Sequence, residues 1–203
     1  MLHTLRAKEG DFLNSVQPIR DKKQIVAMKK ALKNSSDRSF IGRNYMIFIV
    51  GIYTGLRISD ILNLKVKDVT QSHIYIKEKK TGKIKRFKIN APLRKELNKY
   101  IKRHDFNEES FLFPSSKLGP NGEKVPITRI QAYRVLNKAA KECGLQEIGT
   151  HTSRKTFGYH FYKKYKDVAA LQEIFNHSSP SITLRYIGIN DDIKDQMIDD
   201  FDY

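Results

Sequence analysis

Four side chains near the C-terminal end of the sequence have types and spacing that suit work on a single anion. His151 and Arg154 are three residues apart, so at the start of a helix they project from one face. His177 lies 23 residues after Arg154 in a turn-forming Asn-His-Ser-Ser-Pro cluster, and Tyr186 follows nine residues later. A lone histidine or tyrosine is more often a packing or surface residue than a catalytic one. The ordered set, however, offers one phosphodiester two imidazoles, a guanidinium and a phenol that could attack it.

A second arginine and a basic hairpin lie upstream of this set. In the segment from Tyr53 to Asp60, Gly55 breaks an apolar helix and Arg57 follows the turn, just before a new helix. Farther on, residues 79–83 read Lys-Lys-Thr-Gly-Lys between two alternating apolar runs, which predicts a hairpin. Residues 77–88 hold seven basic side chains and one Glu, so from charge alone a solvated hairpin is the preferred interpretation.

Together these segments resemble the tyrosine recombinases, the phage integrase family. The segment around Arg57 resembles the family's first arginine box, and the segment from His151 to Tyr186 resembles its second. The hairpin resembles the one that carries the catalytic lysine of the family, and Lys80 is the matching position, which favours a catalytic lysine over a solvated hairpin. The resemblance runs from about Val16 to the C-terminus. It implies an α+β fold that is mainly helical, with a small antiparallel sheet.

The resemblance also implies a role for each matched residue. Tyr186 would attack DNA and form a 3′-phosphotyrosine, while Arg57 and Arg154 bind the non-bridging oxygens of the phosphate. Lys80 would donate a proton to the leaving 5′ oxygen. His151 would take the tyrosine proton or assist the phosphate, and His177 would donate a hydrogen bond to it. No metal or other cofactor is expected, because these cationic groups replace its charge.

Helical periodicity and turn residues predict the elements that position these groups. Helices are expected from Asp21, from Ser39 to Tyr53, from Ser59 to Leu64, from Pro92 to Arg103, from Thr128, from the second box, from Asp167 to Phe175 and from Pro180 to Tyr186. Ile84, Phe87 and Ile89 are assigned to the return strand of the hairpin. In the helix after Thr128, Ile130, Tyr133, Leu136 and Ala140 fall at helical spacing, which predicts that they form its packed, apolar face. The segment from Ser115 to Pro126 is expected to be a loop.

The charge of the sequence indicates a polyanionic partner. The formal net charge is +16, and because the last 13 residues carry −5, the preceding 190 residues carry +21. Such a charge favours nucleic acid without choosing its kind, and the resemblance specifies double-stranded DNA. The predicted DNA contacts outside the catalytic set are Lys79, Lys83, Lys85, Arg86, Arg129, Arg134 and Lys155. Cys143 is the only cysteine, which excludes an internal disulfide, and no apolar stretch is long enough to cross a bilayer, so a bacterial or phage-encoded cytoplasmic protein without a membrane partner is expected.

Three segments are predicted from these patterns. Residues 1–20 form an arm or linker, residues 21–190 the catalytic domain, and residues 191–203 an acidic tail. The family's C-terminal segment docks on a neighbouring protomer, so the tail is expected either to dock in this way through Ile193, Met197, Ile198 and Phe201 or to stay solvated. A homo-oligomer, a tetramer on paired sites, is implied, with accessory DNA-bending proteins as further partners.

The chain also departs from the family pattern, and two other functions stay open. The usual N-terminal clamp domain does not fit into residues 1–20, Asn176 stands where glycine is usual, and Ser153 stands where leucine is usual. One alternative is a topoisomerase of the type IB kind, which would nick and reseal DNA with the same groups. The other is a non-catalytic DNA-binding regulator, which would not need Tyr186.

Overall fold

The computed structural model describes residues 16–34, 40–77, 82 and 84–202. The chain is mainly helical, as predicted, and it has two small antiparallel sheets where one was expected. Its elements are α1 (Lys22–Lys33), α2 (Arg43–Thr54), α3 (Ile58–Leu62), α4 (Val66–Thr70), β1 (His73–Lys77), β2 (Ile84–Lys88), α5 (Ala91–Arg103), β3 (Pro114–Leu118), β4 (Lys124–Pro126), α6 (Arg129–Glu142), α7 (Thr152–Tyr165), α8 (Val168–Phe175), α9 (Pro180–Tyr186) and α10 (Ile189–Asp199). No helix in these ranges is both long enough and apolar enough to span a bilayer.

Helix α2 is the centre of the main core. Its residues from Arg43 to Gly51 are buried on every side, because α1, α5, α6 and α7 all pack against it. Gly51 lies where α2 crosses α7, and a Cβ added there would come within 2.5 Å of the Ser153 Cβ. Small side chains on both helices therefore allow this close crossing, which accounts for serine at position 153 in place of the family's usual leucine.

The predicted hairpin forms, with one side chain on the unexpected face. Strands β1 and β2 pair in antiparallel register, with Ile74 opposite Phe87 and Ile76 opposite Lys85. Ile74 is fully buried, but Ile84 is 70% exposed. Ile84 and Phe87 are three residues apart, so in a strand with a side-chain period of two they point to opposite faces.

Two other predictions from the sequence are wrong. The expected loop from Ser115 to Pro126 contains β3 and β4, which pair in antiparallel register; these strands are short and largely exposed, so they lack the apolar alternation that identifies a strand. In α6, Ile130 and Tyr133 are 62% and 43% exposed, and the buried face consists of Ala132, Leu136, Ala139 and Ala140. Small alanines allow α6 to pack closely, and they shift its buried face away from the larger apolar side chains.

The C-terminal helices form a second, smaller core. Tyr159, Leu171, Phe175, Ile187 and Ile189 are its buried members, so this core joins α7, α8 and the α9–α10 junction. Helix α7 contacts both cores, because one face contributes Tyr159 to the smaller core and the other face packs on α2. A single helix thus connects the centre of the fold to the segment that carries Tyr186.

Candidate active site

The turn after α2 presents Arg57 and also holds a second arginine. Gly55 ends α2 with a φ of +67°, a conformation that glycine adopts without strain, and a Cβ there would lie 2.5 Å from the Phe157 ring. Arg57 then stands at the N-cap of α3 with its side chain exposed. The glycine in the first box is therefore required both by its backbone conformation and by the space it leaves.

Arg154 is almost fully buried, and the backbone of two other elements fixes its guanidinium. Nη1 donates to the Gly55 carbonyl at 2.5 Å, and Nη2 donates to the Phe175 carbonyl at 2.8 Å. The guanidinium carbon lies 4.1 Å from the centroid of the Phe175 ring. A guanidinium has more N–H donors than these two, and Arg154 is also within hydrogen-bonding reach of the Tyr186 side chain. Arg154 thereby joins the ends of α2 and α8.

His177 follows α8 in a turn that depends on Asn176. Asn176 has a φ of +55° at the C-cap of α8, and asparagine tolerates this left-handed conformation better than most residues other than glycine. The His177 Nδ1 lies 3.1 Å from the Thr183 hydroxyl, and its backbone N–H donates to the Gln172 carbonyl. Asparagine in place of the family's usual glycine is thus accommodated, and the imidazole has a fixed orientation.

Tyr186 is the last residue of α9, and its phenol reaches His151. The Tyr186 hydroxyl lies 3.1 Å from Nδ1 of His151, which stands at the N-cap of α7. The Tyr186 ring meets His177 edge-on at 5.0 Å between centroids, and the Lys155 ammonium lies 5.2 Å from its centroid. The structure therefore brings His151, Arg154, His177 and Tyr186 into one cluster.

Burial and positive charge shift the pKa of several groups in this cluster. Burial raises the pKa of Tyr186 above its ordinary value, although Arg154 and Arg57 oppose this rise. Burial, Arg154, Lys155, Arg129 and Arg57 lower the pKa of His151, while burial, Arg154, Arg57 and Lys85 lower that of His177. Burial lowers the pKa of Arg154 to about 10, so its guanidinium is still charged at neutral pH. A neutral phenol thus faces a neutral imidazole that can accept its proton.

This arrangement predicts how attack by Tyr186 depends on pH. Protonated His151 cannot accept the phenol proton, and its lowered pKa places its protonation below the ordinary value of about 6.5. We expect the rate of covalent attachment to DNA, measured with DNA below saturation, to rise with pH up to the His151 pKa and then to level off through neutral pH. The acid limb should disappear in His151→Gln and persist in His104→Gln, which changes a partly buried histidine outside the cluster. An acid limb centred well above pH 6.5 in the wild-type protein would contradict this assignment.

The remaining predicted site residues differ in how the structure places them. Lys79, Lys80 and Lys83 lie outside the described residues. Arg86, Arg129 and Arg134 are exposed, as a DNA contact requires. Lys85 donates from Nζ to the Glu173 carbonyl at 2.6 Å, and Lys155 donates to the Val16 carbonyl at 2.6 Å. These last two lysines hold β2 against α8 and residue 16 against α7, and their contact with DNA stays a prediction.

The sequence did not reveal the supporting roles of three residues. The Phe175 ring and carbonyl and the Gly55 carbonyl orient Arg154, while Thr183 orients His177. Backbone carbonyls carry no residue signature, so only the position of Phe175 directly before the Asn176 turn could have pointed to it. Within the described ranges, no group of three or more His, Cys, Asp or Glu side chains is placed to hold a metal ion.

Comparison with known proteins places this chain in a family. The model of the phage integrase family matches residues 20–192. "Probable integrase/recombinase YoeC" of Bacillus subtilis (strain 168) is 50% identical over 181 residues, which cover 89% of this chain and 93% of that protein. A "Tyrosine recombinase" of Pseudothermotoga lettingae is 29% identical over 156 residues, 75% of this chain and 51% of that protein. The chain thus spans nearly all of the first relative and about half of the second.

A solved structure shares the fold. XerH site-specific recombinase, bound to its palindromic difH substrate in a post-cleavage complex, superposes with a TM-score of 0.66 at 22% identity. The match covers 82% of this chain and 48% of that one. This chain therefore shares the fold of that recombinase. The chain belongs to the phage integrase family and is, by sequence and fold, a tyrosine recombinase catalytic domain.

Proposed function

We propose that this protein recombines double-stranded DNA at specific sites by forming a covalent bond between Tyr186 and a 3′ phosphate. The observation that carries this proposal is the 3.1 Å approach of the Tyr186 hydroxyl to His151, next to the buried, doubly anchored guanidinium of Arg154. A binding protein would need neither a phenol held against a base nor a cation fixed by two carbonyls. The cluster therefore favours chemistry over binding alone.

The reaction assigns one task to each group. The Tyr186 oxygen attacks phosphorus as its proton passes to Nδ1 of His151, and the bond from phosphorus to the 5′ oxygen breaks. Arg57 and Arg154 stabilise the charge that develops on the non-bridging oxygens, and His177 donates a hydrogen bond to the phosphate. Lys80 gives a proton to the departing 5′ oxygen. Attack by a 5′ hydroxyl from another strand reverses these steps and releases Tyr186, so no bond energy is lost.

The DNA lies across the face that carries the exposed basic side chains. Arg129 is close enough to His151 to affect its pKa, so the N-terminus of α6 adjoins the reacting phosphate. Arg86, Arg129 and Arg134 are exposed, and we assign them to the DNA backbone together with Lys79, Lys83, Lys85 and Lys155. Since DNA in bacteria and in infected cells is in the cytoplasm, we place the reaction there.

Strand exchange also requires several protomers on paired sites, and α10 is suited to link them. Ile193, Met197, Ile198 and Phe201 are between 47% and 74% exposed on this acidic segment. A cleft of about 1090 Å³ between α1, α2, β2 and α7 is lined by apolar side chains and by five lysines: Lys22, Lys29, Lys88, Lys163 and Lys164. We assign this cleft of one protomer to α10 of the next in a tetramer, with accessory DNA-bending proteins aiding assembly.

A covalent-adduct assay tests this function. The protein is incubated with nicked duplexes tiled from DNA flanking its gene, and products are separated on a denaturing gel. We expect one duplex to give a protein–DNA band that survives denaturation, because the nick lets the short 5′ product leave and traps the intermediate. Digestion and mass spectrometry should place the nucleotide on the peptide that contains Tyr186. A matched duplex without the nick, in which the cut strand can rejoin, controls for trapping.

Other outcomes would select another function. Salt-sensitive binding to every duplex without a covalent band would indicate a DNA-binding regulator. An adduct that forms on single sites, relaxes supercoiled DNA and never joins strands from two duplexes would indicate a topoisomerase.

A further inference from the structure

The segment from Val16 to Arg20 runs along the helix that carries Arg154. The Ile19 N–H donates to the Thr156 hydroxyl at 2.9 Å, and Nε2 of His160 lies 3.0 Å from the Ile19 carbonyl. Ile19 itself is only 1% exposed. Backbone atoms of Val16 and Ile19 are therefore hydrogen-bonded to side chains of α7, and the Pro18 and Ile19 side chains are buried.

Arg20 continues this contact to the segment after the nucleophile. Its Nε donates to Oδ1 of Asp192 at 2.6 Å, and the other carboxylate oxygen accepts from the Tyr159 hydroxyl at 2.7 Å. The Arg20 guanidinium also lies 5.6 Å from the centre of the Tyr159 ring, and its Nη2 reaches the Gly188 carbonyl at 3.4 Å. Both oxygens of Asp192 are thus engaged by groups from different elements.

Gly188 makes this contact relevant to Tyr186. It lies two residues after Tyr186, has a φ of +79° and joins α9 to α10. A Cβ at this position would lie 2.8 Å from Nη2 of Arg20. On either side of it, Ile187 and Ile189 are buried in the second core. Arg20 therefore packs directly on the turn that sets the direction in which α9 presents its phenol.

We propose that Arg20, Tyr159 and Asp192 form a positioning cluster that fixes Tyr186 relative to Arg154. Tyr159 is on the same helix as Arg154, five residues later, and Asp192 is on the helix that follows Tyr186. The Arg20 and Asp192 side chains are 35% and 23% exposed, so as a surface ion pair they contribute little to folding stability. A shift of about 1 Å in a reacting atom, however, can slow a reaction by roughly a hundredfold. The cluster should therefore affect cleavage far more than stability. This inference rests on the proposed function.

Single-turnover cleavage at saturating DNA separates positioning from binding. The substrate is the nicked duplex that gives the wild-type adduct, with sulfur in place of the leaving 5′ oxygen. A thiolate leaves without a proton donor, so the rate on this substrate reports attack by Tyr186 and not proton donation by Lys80. We expect Arg20→Ala and Asp192→Asn each to cleave about tenfold to a hundredfold more slowly than wild type, with DNA dissociation constants within about threefold. Lys80→Ala should cleave this substrate nearly as fast as wild type.

Two further variants distinguish the cluster from a general effect on folding or charge. Because Arg20 and Asp192 act together, the double variant Arg20→Ala/Asp192→Asn should be no slower than the slower single variant. Arg20→Lys keeps the charge but places all its donors on one nitrogen, which cannot reach both Asp192 and Gly188, so its rate should be intermediate. This variant also covers the case in which Arg20→Ala fails to fold. Lys23→Ala, an exposed cation nearby, should match wild type.

Three results would overturn the proposal. The first is that both Arg20 variants cleave at the wild-type rate. The second is that a higher DNA concentration restores the cleavage rate of the variants. The third is that the rate losses of the two single variants multiply in the double variant. If the wild-type protein itself forms no adduct, the proposed function fails. If the wild-type protein forms the adduct and the Arg20 variants form it equally fast, the positioning role of the cluster is contradicted and the proposed function stands.

Discussion

Tyr186→Phe is expected to abolish the covalent adduct while DNA binding stays within about twofold of wild type. Phenylalanine retains the ring that meets Phe175 at 5.6 Å and His177 at 5.0 Å between centroids, so α9 should keep its position. Only the hydroxyl is lost, and with it the oxygen that would attack phosphorus. The measurement is the denaturing-gel band on the nicked duplex that wild type cleaves, together with the dissociation constant by fluorescence anisotropy.

Tyr165→Phe is the matched control for this variant. Tyr165 is 57% exposed at the end of α7, and its hydroxyl makes no hydrogen bond among those between the described residues. The control variant should form the adduct at the wild-type rate. An adduct that persists in Tyr186→Phe would mean that another residue is the nucleophile, and mass spectrometry of that adduct would identify it.

Arg154→Lys is expected to lower the rate of covalent attachment by about 10²–10³-fold, the cost typical of losing one donor to a developing oxyanion. A lysine ammonium cannot donate to the Gly55 and Phe175 carbonyls in the fixed directions of the guanidinium and also bind a phosphate oxygen. A buried carbonyl left without its donor also costs about 1–3 kcal/mol, so the free energy of unfolding should fall. Single-turnover rates at saturating DNA and urea denaturation measure the two effects separately.

Arg185→Lys provides the comparison, because Arg185 is exposed on α9 directly before Tyr186. This variant should retain its stability and keep a rate close to wild type. If Arg154→Lys cleaved DNA as fast as Arg185→Lys, the two carbonyl anchors would be irrelevant to catalysis, and Arg154 would serve the fold alone.

Much of the site could be predicted from the sequence, because its residues lie next to turn and capping residues that are recognisable in the sequence. Gly55 marks the end of α2 and the start of the turn to Arg57. Thr128, where a helix was expected to start, caps α6 through its hydroxyl. His151, Arg154, His177 and Tyr186 each lie at or near the end of a helix. Capping and turn residues mark such helix ends in the sequence, so the positions of these four residues could be predicted.

Predictions from the sequence were wrong where burial depends on neighbours that are distant in the chain. Ile130 and Tyr133 have apolar side chains but face outwards, because α6 packs through its alanines. The strands β3 and β4 carry almost no apolar pattern and form by pairing with each other. The periodicity of apolar residues shows which face of a segment could be buried. The elements that pack against the segment determine which face is buried.

The sequence by itself determined the chemical groups, their order, the helices that carry them and the positive charge that suits DNA. Only the tertiary structure decided how those groups are held. Arg154 is fixed by carbonyls 99 and 21 residues away, and Arg20 meets Asp192 across 172 residues. The physical reason is that backbone carbonyls and long-range ion pairs leave no periodic or local signal in a sequence. They arise when α2, α7, α8 and α10 pack together and bring the ends of separate helices to one place.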